Sequence, residues 1–276
     1  MNHDLKIITV VFTMLLVVFF IIISFHKETE ITNAGLIPKV FDAKTTILPS
    51  PQAKQLERKN LVESVVSNKT IYLTFDDGPS YLTMEILDIL KQEKVAATFF
   101  IVGTNVDKYK EVVKRAYVDG HTIAMHTNTH KYNEIYSSLD NYFNDLKIVK
   151  NKIYNLTGVS PRIVRFPGGS SNMVSKKYSK GIMTNIVNKI NSKSYYYFDW
   201  NIDSGDASGK LNKDAIYNNV VTHLNYDTNI VLMHDAGTKL STVQALPQII
   251  KYGKEHGYTF ARITKDTRPI HHKINN

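Results

Sequence analysis

The 276-residue chain contains no cysteine. Disulfide bonds, thiolate zinc sites and cysteine nucleophiles are therefore excluded, and any metal ion must be held by His, Asp or Glu. The sequence also lacks a block of Lys and Arg with interleaved aromatic residues. A nucleic-acid partner is therefore not expected, although the formal net charge is +9. The excess of positive charge instead favours an anionic environment such as a cell envelope.

One long hydrophobic run lies at the N-terminus. It extends from Ile7 to Phe25 as IITVVFTMLLVVFFIIISF, nineteen residues without a charge, which is sufficient to span a bilayer as a helix. Its short N-terminal flank favours a cytoplasmic N-terminus. We therefore predict that residues 1–26 form an uncleaved anchor and that the protein is a single-pass protein of the cell membrane with an extracellular domain. A cleaved signal peptide is the alternative, but no small-x-small cleavage site follows the run.

Composition divides the rest of the chain into three parts. Residues 27–68 hold three of the eight prolines and show no sustained period, which is typical of a semi-extended linker or stalk. Residues 69–265 alternate between strand-like and helix-like segments and form the main predicted domain. Residues 266–276 are predicted to be a C-terminal tail.

Seven strand-like segments alternate with amphipathic, helix-like ones. Most of the strand-like segments are apolar throughout, which is typical of strands that are buried on both faces of a parallel sheet. We predict an α/β fold, a distorted or incomplete (β/α) barrel with about seven parallel strands. An open, doubly wound sheet is the alternative. The segments are TIYLTF, VAATFFIV, HTIAMH, RIVRF, SYYYFDW, NIVLMH and YTFARIT.

Ionisable side chains follow five of these seven strands, at or just beyond their carboxyl ends. In a (β/α) barrel the loops after the strands converge on one face, and catalytic groups lie there. These residues are therefore predicted to share one site. They are Asp76 and Asp77, His126 and His130, Arg165, Asp203 and Asp206, and His234 and Asp235.

Each of these features has a simpler explanation when it is taken alone. The adjacent acids of TFDDGPS could open a solvated turn, although two neighbouring carboxylates at a strand end usually serve a metal or a proton transfer. The imidazoles of HTNTH have a spacing that allows them to share a metal, but the motif lacks the Glu of a helical metalloprotease. Arg165 could be a structural cation, PGGS a flexible loop and His234 a core histidine. Their co-occurrence at matching strand ends is what indicates a functional site.

Five ordered motifs resemble those of the polysaccharide deacetylases of carbohydrate esterase family 4. They are TFDDGPS, HTNTH, RFPGGS, DSGDA and LMH, and the similarity covers about residues 69–265. The family fold is a distorted (β/α) barrel, in agreement with the strand count above. The resemblance implies that Asp77, His126 and His130 hold a divalent metal, usually Zn2+, with Co2+, Ni2+ or Mn2+ as alternatives.

The same resemblance implies roles for further polar residues. Asp76 would be the general base and would be held by Arg165. His234 would be the general acid, paired with Asp206. Leu232 would help to enclose the methyl group of the acetyl.

Two positions depart from the family pattern. The third motif commonly has an aromatic residue after its proline, whereas this chain has Gly168, whose backbone N–H is still expected to stabilise an oxyanion. The fourth motif commonly ends in Asp-Trp, whereas no tryptophan follows Asp206. The single tryptophan, Trp200, is predicted to be a core residue, with a place in the pocket wall as the alternative. Asp203 therefore stays open as an alternative partner of His234.

The resemblance implies a metal-dependent hydrolase that removes N-acetyl groups from a glycan and releases acetate. An anchored, basic, outward-facing domain would meet the cell wall first, so the expected substrate is N-acetylglucosamine of peptidoglycan. The expected partners are thus the acetylated wall glycan and the membrane. Poly-N-acetylglucosamine, chitin and acetylated xylan are alternative substrates. A catalytically silent wall-binding protein on the same fold and a glycosidase with two carboxylates around a sugar bond are alternative functions.

Overall fold

The computed structural model describes residues 69–210 and 212–276. The predicted anchor, residues 1–26, and the predicted stalk, residues 27–68, lie outside the described residues and stay predictions. Within the two described ranges, none of the helices is long and apolar enough to cross a membrane.

Strands and helices alternate along the described part of the chain. The strands are β1 (Thr70–Asp76), β2 (Thr98–Val102), β3 (Thr122–Thr127), β4 (Ile163–Val164), β5 (Tyr196–Tyr197), β6 (Ile202–Asp203), β7 (Thr228–His234) and β8 (Thr259–Phe260). The helices are α1 (Tyr81–Glu93), α2 (Gly103–Val106), α3 (Lys110–Val118), α4 (Tyr132–Ile135), α5 (Leu139–Thr157), α6 (Ile182–Ser192), α7 (Lys213–Val221) and α8 (Leu240–Glu255). Short 3-10 helices lie at Val174–Lys177 and Asp206–Ser208.

Seven of the strands pair in parallel in the order β5-β4-β3-β2-β1-β7-β6, and β8 pairs in parallel with the first residues of β1. The two edge strands, β5 and β6, are separated in the chain only by residues 198–201. A flat sheet of seven strands would hold its edges about 29 Å apart, whereas this short connection spans at most about 18 Å. The sheet must therefore curl until its edges approach each other. The predicted incomplete (β/α) barrel of about seven parallel strands is confirmed, and a flat open sheet is excluded.

The inner strands are buried on both faces, and the helices cover the sheet with apolar stripes. In α1, Leu82, Ile86 and Leu90 are buried and recur at the helical period. Ser80 caps this helix, because its hydroxyl accepts from the N–H of Leu82 while the hydroxyl of Thr83 accepts from the N–H of Ser80. The cap begins α1 directly after the DDGP turn and so fixes the path by which the chain leaves β1.

Two differences from the predicted elements lie between β4 and α7. The predicted strand SYYYFDW is reduced to β5, and the unpredicted strand β6 follows it. The carbonyl oxygens of Phe198 and Asp199 accept hydrogen bonds from Nε and Nη2 of Arg165, at 3.0 and 3.1 Å. These side-chain bonds satisfy the carbonyl oxygens in place of a strand ladder. β6 has only two residues, so no alternating pattern could indicate it.

The predicted C-terminal tail, residues 266–276, packs against the domain. The ring of His271 stacks on that of Tyr197 in β5, with centroids 3.7 Å apart. The backbone N–H of His272 donates to Asp199 Oδ2 at 2.8 Å. His271 and His272 therefore lie along β5 and the connection that follows it.

Candidate active site

The polar residues indicated by the sequence converge at the carboxyl end of the sheet. Asp76 is the last residue of β1 and stands in register with His234, the last residue of β7. His126 lies near the end of β3, and Arg165 directly follows β4. Because parallel strands all end on the same rim, side chains from four separate strands meet there.

Asp77, His126 and His130 bring one carboxylate oxygen and two imidazole nitrogens together. Asp77 Oδ1 lies 3.5 Å from His126 Nε2 and 3.3 Å from His130 Nε2. Their ligand atoms all lie within 4.8 Å of one another. Two imidazoles and a carboxylate are donors that divalent metals such as Zn2+ accept in proteins. The structure thus places the three predicted metal ligands side by side.

Two of these three residues have left-handed backbone conformations. The φ angle is +73° at Asp77 and +58° at His130. Such a conformation costs a residue other than glycine about 1–2 kcal/mol. Asn105 Nδ2 donates to the carbonyl oxygen of Asp77 at 2.8 Å, and the hydroxyl of Thr127 accepts from the N–H of His130 at 3.1 Å. These hydrogen bonds support the turns that bring Asp77 and His130 to His126.

A hydrogen bond fixes the tautomer of His126. Its Nδ1 lies 2.8 Å from the carbonyl oxygen of Arg165. A carbonyl oxygen only accepts, so Nδ1 carries the proton and Nε2 presents a lone pair on the side of Asp77. Burial, with a further contribution from His126, lowers the pKa of His130. His130 is thereby biased towards the neutral form that a metal requires.

The oxygen Oδ1 of Asp77 is buried and has no hydrogen-bond partner among residues 69–210 and 212–276. A buried polar atom without a partner costs about 1–3 kcal/mol, and more when it is charged. A cation between this oxygen and the two imidazoles would supply the missing interaction. The orphaned oxygen and the donor chemistry therefore both fit a divalent metal ion.

Asp76 has a different environment from its neighbour in the chain. Its Oδ1 accepts from Nη1 of Arg165 at 2.9 Å, and both side chains are buried. Arg165 also donates to Thr74 Oγ1 at 2.7 Å, and its guanidinium lies 4.1 Å from the ring centroid of Phe100. The other oxygen of Asp76, Oδ2, lies 4.0 Å from His126 Nε2. Arg165 therefore supplies the counter-charge of Asp76 and holds one of its oxygens, while the second oxygen lies beside the metal-ligand cluster.

His234 is paired with Asp206 and not with Asp203. His234 Nδ1 lies 2.7 Å from Asp206 Oδ1, and the N–H of His234 donates to Asp206 Oδ2 at 2.8 Å. The hydroxyl of Thr242 donates to the same Oδ2 at 2.7 Å. Asp203 is exposed and accepts a hydrogen bond from the N–H of Gly205 in its own turn.

Burial and pairing act in opposite directions on His234. Burial disfavours the imidazolium, but the hydrogen bond and the charge of Asp206 outweigh it and raise the pKa of His234 to about 9. Burial also opposes ionisation of Asp206, but the hydrogen bonds from His234 and Thr242 outweigh it and lower the pKa of Asp206. In the metal-free protein the pair is therefore an imidazolium and a carboxylate at neutral pH.

The predicted pocket residues lie on the same rim. Gly168 is exposed in the turn that follows β4, with φ +77°. Leu232 is buried in β7, two residues before His234, and so lies on the same face of the strand. Trp200 packs behind the glycine turn, since a Cβ on Gly169 would lie 3.0 Å from its ring. Trp200 is half-buried and also packs against a small buried cluster.

Asp145, which the motifs did not indicate, holds the loop between the two imidazoles. Its carboxylate accepts from the N–H of Asn128 at 2.5 Å and from the N–H of Thr129 at 3.1 Å. Asp145 lies on the buried stripe of α5, and an acid on such a stripe is the pattern that could have revealed it. The other buried residues of α5 are Tyr142, Leu146, Val149 and Ile153.

Asp235 lies beneath the DDGP turn. It is fully buried, and its Oδ2 accepts from the hydroxyl of Thr83 at 2.6 Å. Burial raises the pKa of Asp235 to about 7, against the lowering effect of the hydrogen bond from Thr83. A Cβ on Gly78 would overlap the carboxylate, so this close approach requires glycine at position 78. Asp235 therefore packs against the turn that carries Asp77.

The chain is similar to known deacetylases. The family model described as polysaccharide deacetylase matches residues 63–184. A peptidoglycan-N-acetylglucosamine deacetylase of Bacillus cereus is 38% identical over 197 residues, which cover 70% of this chain and 68% of that protein. A second Bacillus cereus protein of the same name is 34% identical over 224 residues, which cover 79% of this chain and 98% of that protein. The solved catalytic domain of the peptidoglycan N-acetylglucosamine deacetylase from Eubacterium rectale has a TM-score of 0.73 and 43% identity, covering 75% of this chain and 94% of that one.

Proposed function

The chain belongs to the polysaccharide deacetylase family, and from this premise we propose that it hydrolyses N-acetyl groups of a cell-envelope glycan in a metal-dependent reaction. The proposed substrate is N-acetylglucosamine of peptidoglycan, and the products are acetate and a free amine on the sugar. One observation carries the proposal: a His-His-Asp cluster, a carboxylate paired with arginine and an imidazole paired with a carboxylate share one rim. Amide hydrolysis needs a Lewis acid for the carbonyl, a base for the water and an acid for the amine. The His-His-Asp cluster would hold the Lewis acid, the carboxylate would be the base and the imidazole would be the acid.

Asp77, His126 and His130 would hold the metal ion. Zn2+ is the proposed ion, and Co2+, Ni2+ and Mn2+ are alternatives that accept the same donors. When bound, the ion supplies Lewis acidity that polarises the acetamido carbonyl and acidifies the attacking water. The orphaned oxygen of Asp77 supports this assignment.

Asp76 is the proposed general base. Its Oδ1 is held by Arg165, and its Oδ2 lies beside the metal-ligand cluster. One oxygen is thus anchored while the other is available to take a proton from the water that attacks the carbonyl carbon. The adjacent acids of DDGP therefore have different roles, since Asp76 moves a proton and Asp77 binds the ion.

His234 is the proposed general acid. Its Nδ1 is engaged by Asp206, so Nε2 is the nitrogen that donates a proton to the departing amine. Asp206 orients the ring and stabilises its protonated form. Asp206 is therefore a positioning residue, whereas His234 transfers the proton.

The backbone N–H of Gly168 is proposed to stabilise the oxyanion of the tetrahedral intermediate. Gly168 is exposed, and its N–H makes no hydrogen bond within the described part of the chain. A fixed backbone donor of this kind needs no reorganisation when charge develops on the oxygen. Leu232, buried in β7 close to His234, is proposed to enclose the acetyl methyl group.

The choice of substrate rests on three further features. The similar proteins described above are named for peptidoglycan N-acetylglucosamine. The chain has a formal net charge of +9, and its apolar run Ile7–Phe25 is long enough for a membrane anchor. We therefore place the catalytic domain outside the cell, on a single-pass protein of the cell membrane. Poly-N-acetylglucosamine, chitin and acetylated xylan carry the same acetyl chemistry and are the alternative substrates.

Mass spectrometry of wall glycan fragments tests the proposal. The fragments are incubated with the purified full-length protein, with and without a chelator, and again after addition of Zn2+. We expect the loss of one acetyl group per modified sugar, confined to N-acetylglucosamine, abolished by the chelator and restored by the metal. Unchanged acetyl content would indicate a silent wall-binding protein, and strand cleavage that resists the chelator would indicate a glycosidase. Acetyl loss only from chitin or xylan oligomers would reassign the substrate.

A further inference from the structure

Tyr132 occupies the space beside Gly168 in which a side chain would stand. A Cβ on Gly168 would lie 2.6 Å from the hydroxyl oxygen of Tyr132 and 3.1 Å from the Cβ of Asn172. Non-bonded heavy atoms attract each other at about 3.5–4.0 Å, so the first of these distances is a clash. A side chain at position 168 would therefore have to displace Tyr132.

The ring of Tyr132 is held on two sides. It packs edge-on against the ring of His130, with centroids 5.8 Å apart, and against that of Tyr136, with centroids 5.3 Å apart. The hydroxyl of Tyr136 donates to the carbonyl oxygen of Pro167 at 2.8 Å, and this bond ties α4 to the turn that carries Gly168. Tyr132 is therefore fixed between a proposed metal ligand and the proposed oxyanion donor.

The hydroxyl of Tyr132 has no hydrogen-bond partner in residues 69–210 or 212–276. The side chain of Tyr132 is half-buried, whereas that of Tyr136, directly after the same short helix, is fully buried and has its hydroxyl bonded. A tyrosine presents a rigid apolar ring and a polar tip, and it loses little conformational entropy when it binds a ligand. The ring and hydroxyl of Tyr132 are thus available to a ligand at the rim.

We propose that Tyr132 contacts the acetylated sugar: its ring forms the aromatic wall of the sugar site, and its hydroxyl donates a hydrogen bond to an oxygen of the sugar. This proposal rests on the proposed deacetylase function and deepens it by naming a residue that contacts the substrate. Gly168 and Tyr132 form a matched pair, because the missing side chain at position 168 leaves room for a ring supplied by α4. The ligand is a neutral N-acetylated hexosamine within a glycan chain.

Two substitutions separate the hydroxyl from the ring. Tyr132→Phe removes only the hydroxyl, and we expect the KM for an N-acetylglucosamine oligomer to rise about threefold to tenfold. Tyr132→Ala also removes the wall, and the KM should rise by on the order of a hundredfold, with a smaller change in kcat. Tyr154→Phe, at an exposed tyrosine of α5, is the matched control and should behave like the parent protein. An unchanged KM in both Tyr132 variants, or a loss confined to kcat, would overturn the proposal.

A double-mutant cycle tests the matched pair. Gly168→Ala places a Cβ against the hydroxyl of Tyr132, whereas this oxygen is absent in the Tyr132→Phe background. The positive φ at position 168 strains alanine equally in both backgrounds, so its cost cancels in the cycle. Gly168→Ala should raise the KM in both backgrounds, and we expect the factor of increase to be about five times smaller in the Tyr132→Phe background than in the parent. Additive effects of the two substitutions would overturn the pairing.

Two binding measurements separate this inference from the proposed function. Calorimetric titration with Zn2+ should give the same affinity for the parent and for Tyr132→Phe. A lower Zn2+ affinity in the variant would mean that Tyr132 acts only by supporting His130. Binding of an N-acetylglucosamine oligomer to the metal-stripped protein reports the sugar contact without turnover, and it should weaken in Tyr132→Phe. If the parent binds the oligomer but releases no acetate when metal is restored, the proposed function fails while the contact is still measured. Equal oligomer binding by parent and variant would overturn the contact alone.

Discussion

The carboxylate of Asp76 lies 2.9 Å from Nη1 of Arg165, in a buried ion pair that joins the end of β1 to the residue after β4. Arg165 is fully buried, and three more of its N–H groups donate to Thr74 and to two carbonyl oxygens of the connection between β5 and β6. A buried cation is tolerated only when its donors are satisfied in this way. The same side chain therefore orients a proposed catalytic carboxylate and holds the connection between the two edge strands of the curled sheet.

Substitution of Asp76 tests the role of this carboxylate. We expect Asp76→Asn to lower kcat by about a hundredfold to ten-thousandfold, because a neutral amide does not take a proton from water. Zn2+ content should stay near stoichiometric, because Asp76 is not one of the three ligand residues. Acetate release and metal analysis measure the two effects, and circular dichroism controls for folding around the unpaired Arg165. Parental turnover in the variant would show that Asp76 is not the base.

Loss of a proposed metal ligand should have a different signature. We expect His126→Ala to lose both Zn2+ binding and activity, because the substitution removes Nε2, one of the three proposed donors. His256→Ala is a matched control, since His256 is exposed directly after α8 and its ring bonds only to the carbonyl oxygen of Tyr252 in that helix. Calorimetry with Zn2+ and acetate release are the measurements. Metal binding by the His126 variant at parental affinity would contradict the ligand assignment.

The alkaline side of the pH–rate profile should report His234. The proposed general acid must be protonated, and in the metal-free protein pairing with Asp206 outweighs burial to raise its pKa to about 9, so the rate is expected to fall as the pH rises through the pKa of His234. A cation held by Asp77, His126 and His130 repels an imidazolium, so the alkaline limb of the profile lies at lower pH in the metal-loaded enzyme. Asp206→Asn removes the paired charge and should move the limb down by about one to three units. A limb that stays in place in this variant would assign the titration to another group.

The same pair should make the stability of the metal-free protein depend on pH. The pKa of His234 is raised on folding from 6.5 to about 9, so its contribution is complete below pH 6.5 and is lost as the pH rises through about 9. The loss is on the order of 3 kcal/mol. The pKa of Asp206 is lowered from 3.8, so its contribution is present above that value and is lost as the pH falls. Urea unfolding of chelator-treated protein should show the alkaline decline, and His234→Gln should abolish it; an equal decline in this variant would contradict the assignment.

Asp145 should control metal affinity without touching the metal. Its carboxylate accepts from two backbone N–H groups of the HTNTH loop, and an amide presents only one acceptor oxygen to them. We expect Asp145→Asn to weaken Zn2+ binding about tenfold to a hundredfold, as is usual when support of a ligand is lost. Competition with a chelating dye measures the affinity. Asp140→Asn, at an exposed residue in the first turn of the same helix, is the control, and an Asp145 variant that matches it would refute the prediction.

Asp203 and Asp206 show where prediction from the sequence stopped. Both acids follow the same segment of the chain, and the sequence left either of them as a partner for His234. The turn at Gly205, with φ +75°, separates the two: Asp203 bonds within this turn, whereas Asp206 reaches His234 in β7. The choice depends on one backbone angle and on the packing of Thr242 against the same carboxylate. Neither of these leaves a periodic pattern in the sequence.

Tyr132 and Asp145 illustrate a second limit. Their contacts are made with Gly168 and with the loop before His130, which belong to other elements of the fold. A glycine in the third motif was visible in the sequence, but the residue that fills its space was not. Asp145 is an acid on the apolar stripe of α5, and this local pattern indicates a buried carboxylate with a partner. The pattern alone does not say which groups the carboxylate binds.

By itself, the sequence determined the alternation of strands and helices, the parallel sheet and the rim on which the reactive side chains stand. It could do so because strands buried on both faces must be apolar, and because parallel strands all end on the same side. Only the tertiary structure decided which of these side chains touch, and which neighbours hold them in place. Contacts between distant segments depend on the curl of the whole sheet and on a few backbone turns, and close packing of the entire domain sets both.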